Sequence, residues 1–405
     1  MIYVPSRMGQ LNRRALLRQL QKLGVASRAE LAKALGMSQP TAGKIVDELI
    51  ATGVLEEIEV AEAGGAETGV RGRPGRKLRL NQSRSRLLAI QLGLQETTVA
   101  RLSLGVPEAD EWHFTFALAK TEAQPARAWE TSLRAAAKAI GGRDFLGVLL
   151  SVPGIVDETA NRILFSPNIH WTEKADLAKI VRRVWDLPVL LVQEERALAL
   201  GHHLAHPECE DFLLVDFGEG VGGAIIVAGR PLANPLPISG EIGHTPVLGN
   251  PRQCGCGAIG CMETLVSLRG LLESFAAATR GKKHSWAQLR EHIAAHGIEP
   301  WLAHPLDAAA TAIAGALNVL GLRRVVITGS LTELPAAVLA HLARAVQNGS
   351  MWARFGRVEC VAAPRRRTAG LIAVGIDRLI VPDSPPKKDF PKNGAPKVGR
   401  VKFSC

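Results

Sequence analysis

Residues 240–264 read GEIGHTPVLGNPRQCGCGAIGCMET, and this run defines the chain more sharply than any other. His244 is followed by nine residues and then by Cys254, Cys256 and Cys261. One imidazole and three thiolates form a four-ligand set suited to tetrahedral Zn2+, with no open position for a catalytic water. The expected cofactor is therefore a structural zinc ion held by His244, Cys254, Cys256 and Cys261. Glycines at 255, 257 and 260 allow the backbone to fold tightly around one ion. Cys209, Cys360 and Cys405 stand in no comparable context, and six cysteines are too few for a disulfide framework.

Outward from this run the chain alternates short apolar runs with helix-like segments. The β-like runs are LLAIQLGL (87–94), FLGVLLSV (145–152), LPVLLV (187–192), DFLLVDFG (211–218) and RRVVITG (323–329). That order predicts an α/β body with partly parallel sheets. With 405 residues, 47% of them hydrophobic and 21% charged, the chain can bury a sizeable core. The opening MIYVPSRMGQ has no apolar signal-peptide core. No run approaches the ~18 apolar residues of a membrane span. A cytoplasmic protein with no membrane partner is expected.

The net charge of +11 is unevenly placed. Residues 1–86 hold 15 Lys and Arg against 8 Asp and Glu, and residues 382–405 hold 6 against 2, whereas the body between them is balanced at 28 each. A basic N-terminal module ahead of a neutral body suggests a polyanion partner. Residues 12–23 place Leu16, Leu17, Leu20 and Leu23 on one helical face, and Gly24 follows as a stop. Ser27 and Glu30 form a capping box for a second helix, with Leu31, Ala34 and Leu35 inward. Ser38 caps a third helix with Pro40 in its first turn and Ile45, Val46, Leu49 and Ile50 inward. Gln39, Thr41, Ala42 and Lys44 are left facing out. This is a helix-turn-helix whose last helix can enter a major groove of double-stranded DNA. Residues 54–60 and 77–80 can add an antiparallel wing, with Arg71, Arg73 and Arg76 between them in RGRPGR. Arginines on thin backbone suit a narrow minor groove. Residues 61–75 read as a flexible loop, and the Pro/Lys/Gly-rich stretch from Pro382 reads as a disordered basic tail.

GEIGH followed by CGCGAIGCME closely resembles the signature of the ROK family of sugar kinases and sugar-responsive repressors, over roughly residues 10–381. The resemblance implies a winged helix-turn-helix followed by a two-lobed actin-like ATPase fold. The domains it implies are 1–82 (DNA binding), 83–198 (first lobe, completed by 360–381), 199–359 (second lobe with the zinc site) and the tail 382–405. SVPGIVD (Ser151–Asp157) resembles the segment leading to the family's sugar pocket, and SPNIHW (Ser166–Trp171) places Asn168 at its sugar-binding Asn. Glu241 and Glu263 match sugar-binding glutamates, and His244 matches a residue that binds zinc and touches sugar. Carboxylates and amides suit hydroxyl groups, each of which wants a donor and an acceptor.

The departures from the family concern catalysis. Its Asn-Asp pair, where Asp is the general base, becomes Gln193 and Glu194, which are carried here as sugar-binding residues; Glu194 stands at the base position, and no catalytic residue is expected. The phosphate motif D-x-G-G-T becomes Gln91-Leu92-Gly93-Leu94-Gln95, without the metal-serving Asp. The loop G-T-G-x-G becomes Gly218-Glu219-Gly220-Val221-Gly222 after Asp216, putting a carboxylate where phosphate oxygens should sit. Thr328–Ser330 keep the adenosine-side turn. The resemblance thus implies a sugar-responsive repressor that has lost kinase activity. It would be a homodimer or homotetramer that binds an operator and answers to a sugar or sugar phosphate. The alternative is an active ATP-dependent sugar kinase carrying an added DNA-binding module.

Overall fold

The structure, a computed structural model, describes residues 5–59, 76–82, 85–105, 113–118, 122–141, 144–232, 238–281 and 283–381. The N-terminal unit begins with α1 (Pro5–Leu23), followed by β1 (Ala26–Ser27), α2 (Arg28–Ala34), α3 (Gln39–Ala51), β2 (Leu55–Ile58) and β3 (Lys77–Leu80). The Ser27 hydroxyl accepts from the Glu30 N–H at 3.2 Å while the Glu30 carboxylate accepts from the Ser27 N–H at 2.6 Å, completing the capping box. Lys77 on β3 also donates to Glu30, and with the Ser27 N–H it holds that carboxyl at about 2. Ser38 caps α3 through the Thr41 N–H. Strands β2 and β3 pair antiparallel as the wing requires, and β1 adds a third strand on the other edge of β3. Residues 61–75 and the tail from Pro382 lie outside the described residues.

Two inward assignments and one outward assignment are corrected. Leu23, in the last turn of α1, is exposed, and Ala34 faces out while Ala32 is buried. Ala42 is fully buried, because positions 42, 45, 46 and 49 share one face of a 3.6-residue helix.

The body contains two five-stranded sheets. The first is built from β4 (Ser85–Leu92), β5 (Glu96–Ser103), β6 (His113–Ala117), α4 (Pro125–Ile140), β7 (Gly147–Val152), the hairpin β8 (Ile155–Asp157) and β9 (Arg162–Phe165), α5 (Trp171–Lys174), α6 (Leu177–Trp185), β10 (Val189–Gln193) and α7 (Glu194–Ala205). Its strand order is β10-β7-β4-β5-β6, with β10, β7 and β4 mutually parallel. The second comprises β11 (Phe212–Phe217), β12 (Val221–Val227), β13 (Arg230–Pro231), a 3-10 turn at Ile242–His244, α8 (Glu263–Val266), α9 (Leu268–Ala278), α10 (Trp286–His296), α11 (Pro300–Leu320), β14 (Arg324–Gly329), α12 (Ala336–Gly349), β15 (Glu359–Ala362) and α13 (Arg367–Gly375). Its order is β13-β12-β11-β14-β15. The central strands β7 (GVLLSV) and β11 (FLLVDF) are buried at every position, which is why they read as continuous apolar runs rather than alternating ones. Residues 360–381 divide between the lobes: Cys360–Ala362 pair with β14 in the second sheet, while α13 crosses back onto α7, β4 and β7 of the first.

Head and body share one apolar cluster. Leu16, Leu17 and Leu20 of α1 and Val46 of α3 join Leu87, Leu149 and Val192 of the first sheet and Leu371, Ile372 and Val374 of α13. Arg14 donates to the carbonyls of Asp377 at 3.0 Å and Val381 at 2.6 Å, and Arg18 pairs with the Asp377 carboxylate. Helices α7 and α13 meet backbone to backbone. A Cβ at Gly370 would lie 1.8 Å from the Ala197 carbonyl oxygen, and one at Gly201 would lie 1.9 Å from that of Arg366. Among the described residues no helix is long and apolar enough to cross a membrane.

Gly370→Ala is therefore expected to destabilise the chain by about 3 kcal/mol through forced separation of two helices. Gly43→Ala, within α3 and with nothing within 4 Å of a new Cβ, should stabilise it by about 0.5–1 kcal/mol. Urea denaturation midpoints of the two variants check the contrast, and equal shifts would contradict it.

Candidate functional site

A cavity of about 490 Å³ opens between the two sheets, at the carboxyl ends of β4, β7, β10 and β11. In open α/β sheets the strand carboxyl ends are where ligands bind, because the loops there converge. All six residues expected at the sugar pocket line it: Asn168, Gln193, Glu194, Glu241, His244 and Glu263. Ser151, Pro153 and Gly154 from SVPGIVD line it as well.

Their partners differ. Glu263 is buried, and one carboxylate oxygen accepts the Val221 N–H at 2.9 Å while the other faces the Cys254 sulfur at 3.8 Å. The Asn168 amide sits beside Gly220 and Gly255, bringing the phosphate-type loop and the cysteine loop together at one side chain. The Glu241 carboxylate lies 3.7 Å from His244 Nε2, and burial raises its pKa. Gln193 closes β10, and Glu194 opens α7. Glu194 faces the cavity, yet its carboxylate is held by the Arg367 guanidinium, which also donates to the Gln91 side chain at 3.1 Å.

Sequence reasoning passed over Glu195, Arg365 and Arg367, which line the same cavity as Asp216. Glu195 Oε2 is buried with no hydrogen-bond partner, and burial followed by the neighbouring Glu194 charge pushes its pKa well above the carboxylate range. Its signal was present in the sequence, one position along QEER. Nothing local in the sequence marked Arg365, which folds in from 149 positions away to grip Asp216 with two hydrogen bonds, 2.7 and 2.8 Å. The Thr328 hydroxyl completes the set on Asp216 at 2.7 Å.

The phosphate-type loops are thus occupied by the protein's own side chains. Arg365 Nη2 lies 2.5 Å from where a Cβ on Gly218 would be, so the guanidinium rests against that loop's backbone. Across the cleft, Gln95 donates to Glu219 at 3.0 Å, tying the two phosphate-type loops to each other.

The cysteine loop forms a candidate metal centre. One ligand atom from each of His244, Cys254, Cys256 and Cys261 lies within 4.8 Å of all the others. Cys254 Sγ is 3.6 Å from His244 Nδ1, and Cys256 Sγ is 3.6 Å from Cys261 Sγ. With metal–sulfur bonds near 2.3 Å, a tetrahedral site has ligand–ligand edges of roughly 3.7 Å, so the donor set fits. Burial raises the Cys254 thiol pKa, and burial with neighbouring sulfurs pushes Cys261 up to about 12; a divalent cation relieves that penalty by holding the thiolates. The loop is braced by the protein's own hydrogen bonds. Arg252 donates to the carbonyl oxygens of Thr264 at 2.6 Å and Gly270 at 3.1 Å, and Asn250 donates to that of Cys261 at 3.1 Å.

On the head, Gln39, Thr41 and Lys44 are exposed at the front of α3, with the Thr41 hydroxyl hydrogen-bonded to Ser38 at 2.8 Å. Arg76 is exposed and paired with Glu57 of β2, which also pairs with Arg28. Arg71 and Arg73 lie outside the described residues.

The ROK family profile matches residues 116–374, and a winged helix-turn-helix DNA-binding profile matches residues 11–56. The chain belongs to the ROK family. It is 26% identical over 269 residues to the xylose repressor of Caldicellulosiruptor bescii, the match covering 65% of each protein. It is 27% identical over 269 residues to the DNA-binding transcriptional dual regulator NagC of Escherichia coli, covering 64% of this chain and 63% of that one. The chain therefore spans a little under two thirds of these curated relatives. Among solved structures, a ROK family transcriptional regulator described as a homologue of Escherichia coli MLC superposes with a TM-score of 0.72 at 21% identity, over 93% of this chain and 97% of that one. A ROK glucokinase from Streptomyces griseus in complex with glucose and AMPPNP superposes with a TM-score of 0.56 at 21% identity, over 71% and 97%. The two-lobed fold behind a winged head is thus a ROK fold.

Arg365→Met is expected to cost about 2–4 kcal/mol, because it strands the buried Asp216 carboxylate. Adding Asp216→Asn should recover most of that loss. A double-mutant cycle by chemical denaturation measures both, and additive losses would mean that the pair is not coupled.

Proposed function

We propose that this chain is a sugar-responsive DNA-binding regulator of transcription, with the logic of a repressor, whose ROK body senses ligand and has lost kinase chemistry. The observation that carries the reading is a helix-turn-helix head sharing a core with a ROK body whose phosphate loops are closed by Arg365–Asp216 and Gln95–Glu219. A nucleotide triphosphate would have to displace both contacts and approach Glu219 against charge repulsion. The repressor and regulator names of the relatives support the same reading.

In this reading the front of α3 enters the major groove of an operator, with Gln39 and Thr41 at base edges and Lys44 at phosphate. Arg71 and Arg73 extend the contact through the wing. Two or four copies bind a pseudo-palindromic site, since each head reads one half-site. Asn168, Gln193, Glu241, His244 and Glu263 bind sugar hydroxyls, with Glu195 taking over the acceptor role expected of Glu194. Zn2+ on His244, Cys254, Cys256 and Cys261 supplies structural closure, leaving Nε2 of His244 directed at Glu241 and the cavity. Ligand control follows if sugar binds the DNA-competent and DNA-incompetent shapes with different affinity.

A footprint of full-length protein across its own promoter region, with and without sugars, is expected to show a protected site whose occupancy changes with one sugar. Lys44→Ala should lower the salt dependence of operator binding by about one phosphate contact. Absence of any protected site under all conditions would overturn the reading, as would ADP formation from ATP with an aldose.

Metal analysis of purified protein should find one zinc per chain, and Cys256→Ser should lose it. Sugar response is expected to weaken more than operator binding in that variant. Equal loss of both would assign the metal to global folding instead.

A further inference from the structure

We propose, resting on the sugar-sensing reading above, that Glu158 is a positioning residue that couples the cleft to the DNA-binding head, holding Gln193 of the cleft on one side and Arg378 of the head's seat on the other.

β10 stands at the edge of its sheet, so the backbone groups on its outer side need partners from outside the ladder. The turn of the β8–β9 hairpin supplies them at alternate residues. The Asn161 side chain donates to the Val189 carbonyl at 2.8 Å and accepts the Leu191 N–H at 2.6 Å, and Glu158 Oε1 accepts the Gln193 N–H at 3.3 Å. Positions 189, 191 and 193 share one edge of a strand whose geometry repeats every two residues. Asn161 holds a left-handed φ of 57° in this turn, a conformation that Asn tolerates better than most side chains. The turn thus grips the strand whose last residue, Gln193, lines the cavity.

The other atoms of Glu158 face the seat of the head. Its side chain is only 12% exposed, and Oε2 pairs with Arg378 at 3.2 Å and with Arg196 of α7 at 3.3 Å. Its backbone carbonyl accepts a second bond from the Arg378 guanidinium at 2.8 Å. Arg378 belongs to the π-helical turn Ile376–Ile380 that follows α13. Single π turns are rare and occur frequently at functional positions. The adjacent residue, Asp377, receives Arg14 and Arg18 of α1. One acidic residue therefore touches the cleft strand, the cleft helix α7 and the turn that seats the head.

These links differ in strength. The Arg378 fork is charge-assisted and partly buried, whereas the bond from the Gln193 N–H is long. A ligand that draws on Gln193 alters the weak link first, and the strong one carries the change from Glu158 to the turn holding Arg14 and Arg18. Glu158 itself touches neither ligand, so its loss changes how sugar and operator affect one another rather than how each is bound.

The test is binding of full-length protein to a labelled fragment of its own promoter region, with and without glucose, N-acetylglucosamine, xylose or their phosphate esters. The compound that shifts operator affinity of the unaltered protein is then used on variants. Glu158→Gln is expected to shrink that shift at least about threefold, while sugar affinity and sugar-free operator affinity each stay within about twofold. Arg378→Lys, which keeps the charge and loses the fork, should do the same. Glu130→Gln, which disturbs ion pairs with Arg134 and Arg183 elsewhere in the first lobe, should leave the shift unchanged. An undiminished shift in both Glu158→Gln and Arg378→Lys overturns the coupling role while the sugar-sensing reading stands. Parallel loss of both affinities in the two variants also overturns it, making Glu158 a folding residue. If no compound shifts the unaltered protein, the sugar-sensing reading itself falls and takes this one with it.

Discussion

The carbonyl oxygen of Ala197 occupies the space where a side chain at position 370 would begin, so α7 and α13 touch backbone to backbone. Much of the molecule is arranged by that contact. At one end both helices start at the cavity, where Glu194 of α7 and Arg367 of α13 pair across it. Along its length α13 presents Leu371, Ile372 and Val374 to the cluster that also buries Leu16, Leu17 and Leu20 of the head. Past its end, Asp377 holds Arg14 and Arg18. The rim of the cavity and the groups that seat the head are thus joined through the same two close-packed helices.

The cleft's chemistry follows from where charge has been neutralised. A ROK body has two halves to its cleft, and here the half with the phosphate-type loops is filled by Arg365 on Asp216 and by Gln95 on Glu219. The other half keeps carboxylates and amides beside a braced cysteine loop. The net charge of +11 says nothing of this, since the body is balanced overall and its pocket is acidic.

Much was legible in the sequence because it is local. Capping box, helix stops and the third helix of the head depend on contacts within four residues, and the structure has them at Ser27, Glu30 and Ser38. The five apolar runs became β4, β7, β10, β11 and β14, since strands buried on both faces need no alternation to be seen. Three ligands of the cysteine cluster lie within eight residues, so spacing alone exposed them. Ala34 and Ala42 were misassigned because a phase error of one or two positions on a helix exchanges core and solvent, and Leu23 because it stands in the last turn of α1.

The sequence by itself determined the two modules, the order of strands and helices, the His/Cys donor set and which residue types would line the cleft. Only the tertiary structure decided which of those groups are free. Arg365 and Arg367 reach Asp216 and Glu194 across 149 and 173 positions, and no periodicity or motif encodes such a meeting. They meet because the strand order puts β11 and β10 beside the point where α13 crosses back to the first lobe. Ion pairing is short-ranged in space and indifferent to distance along the chain, so the availability of Glu195 rather than Glu194 became visible only once the chain had folded.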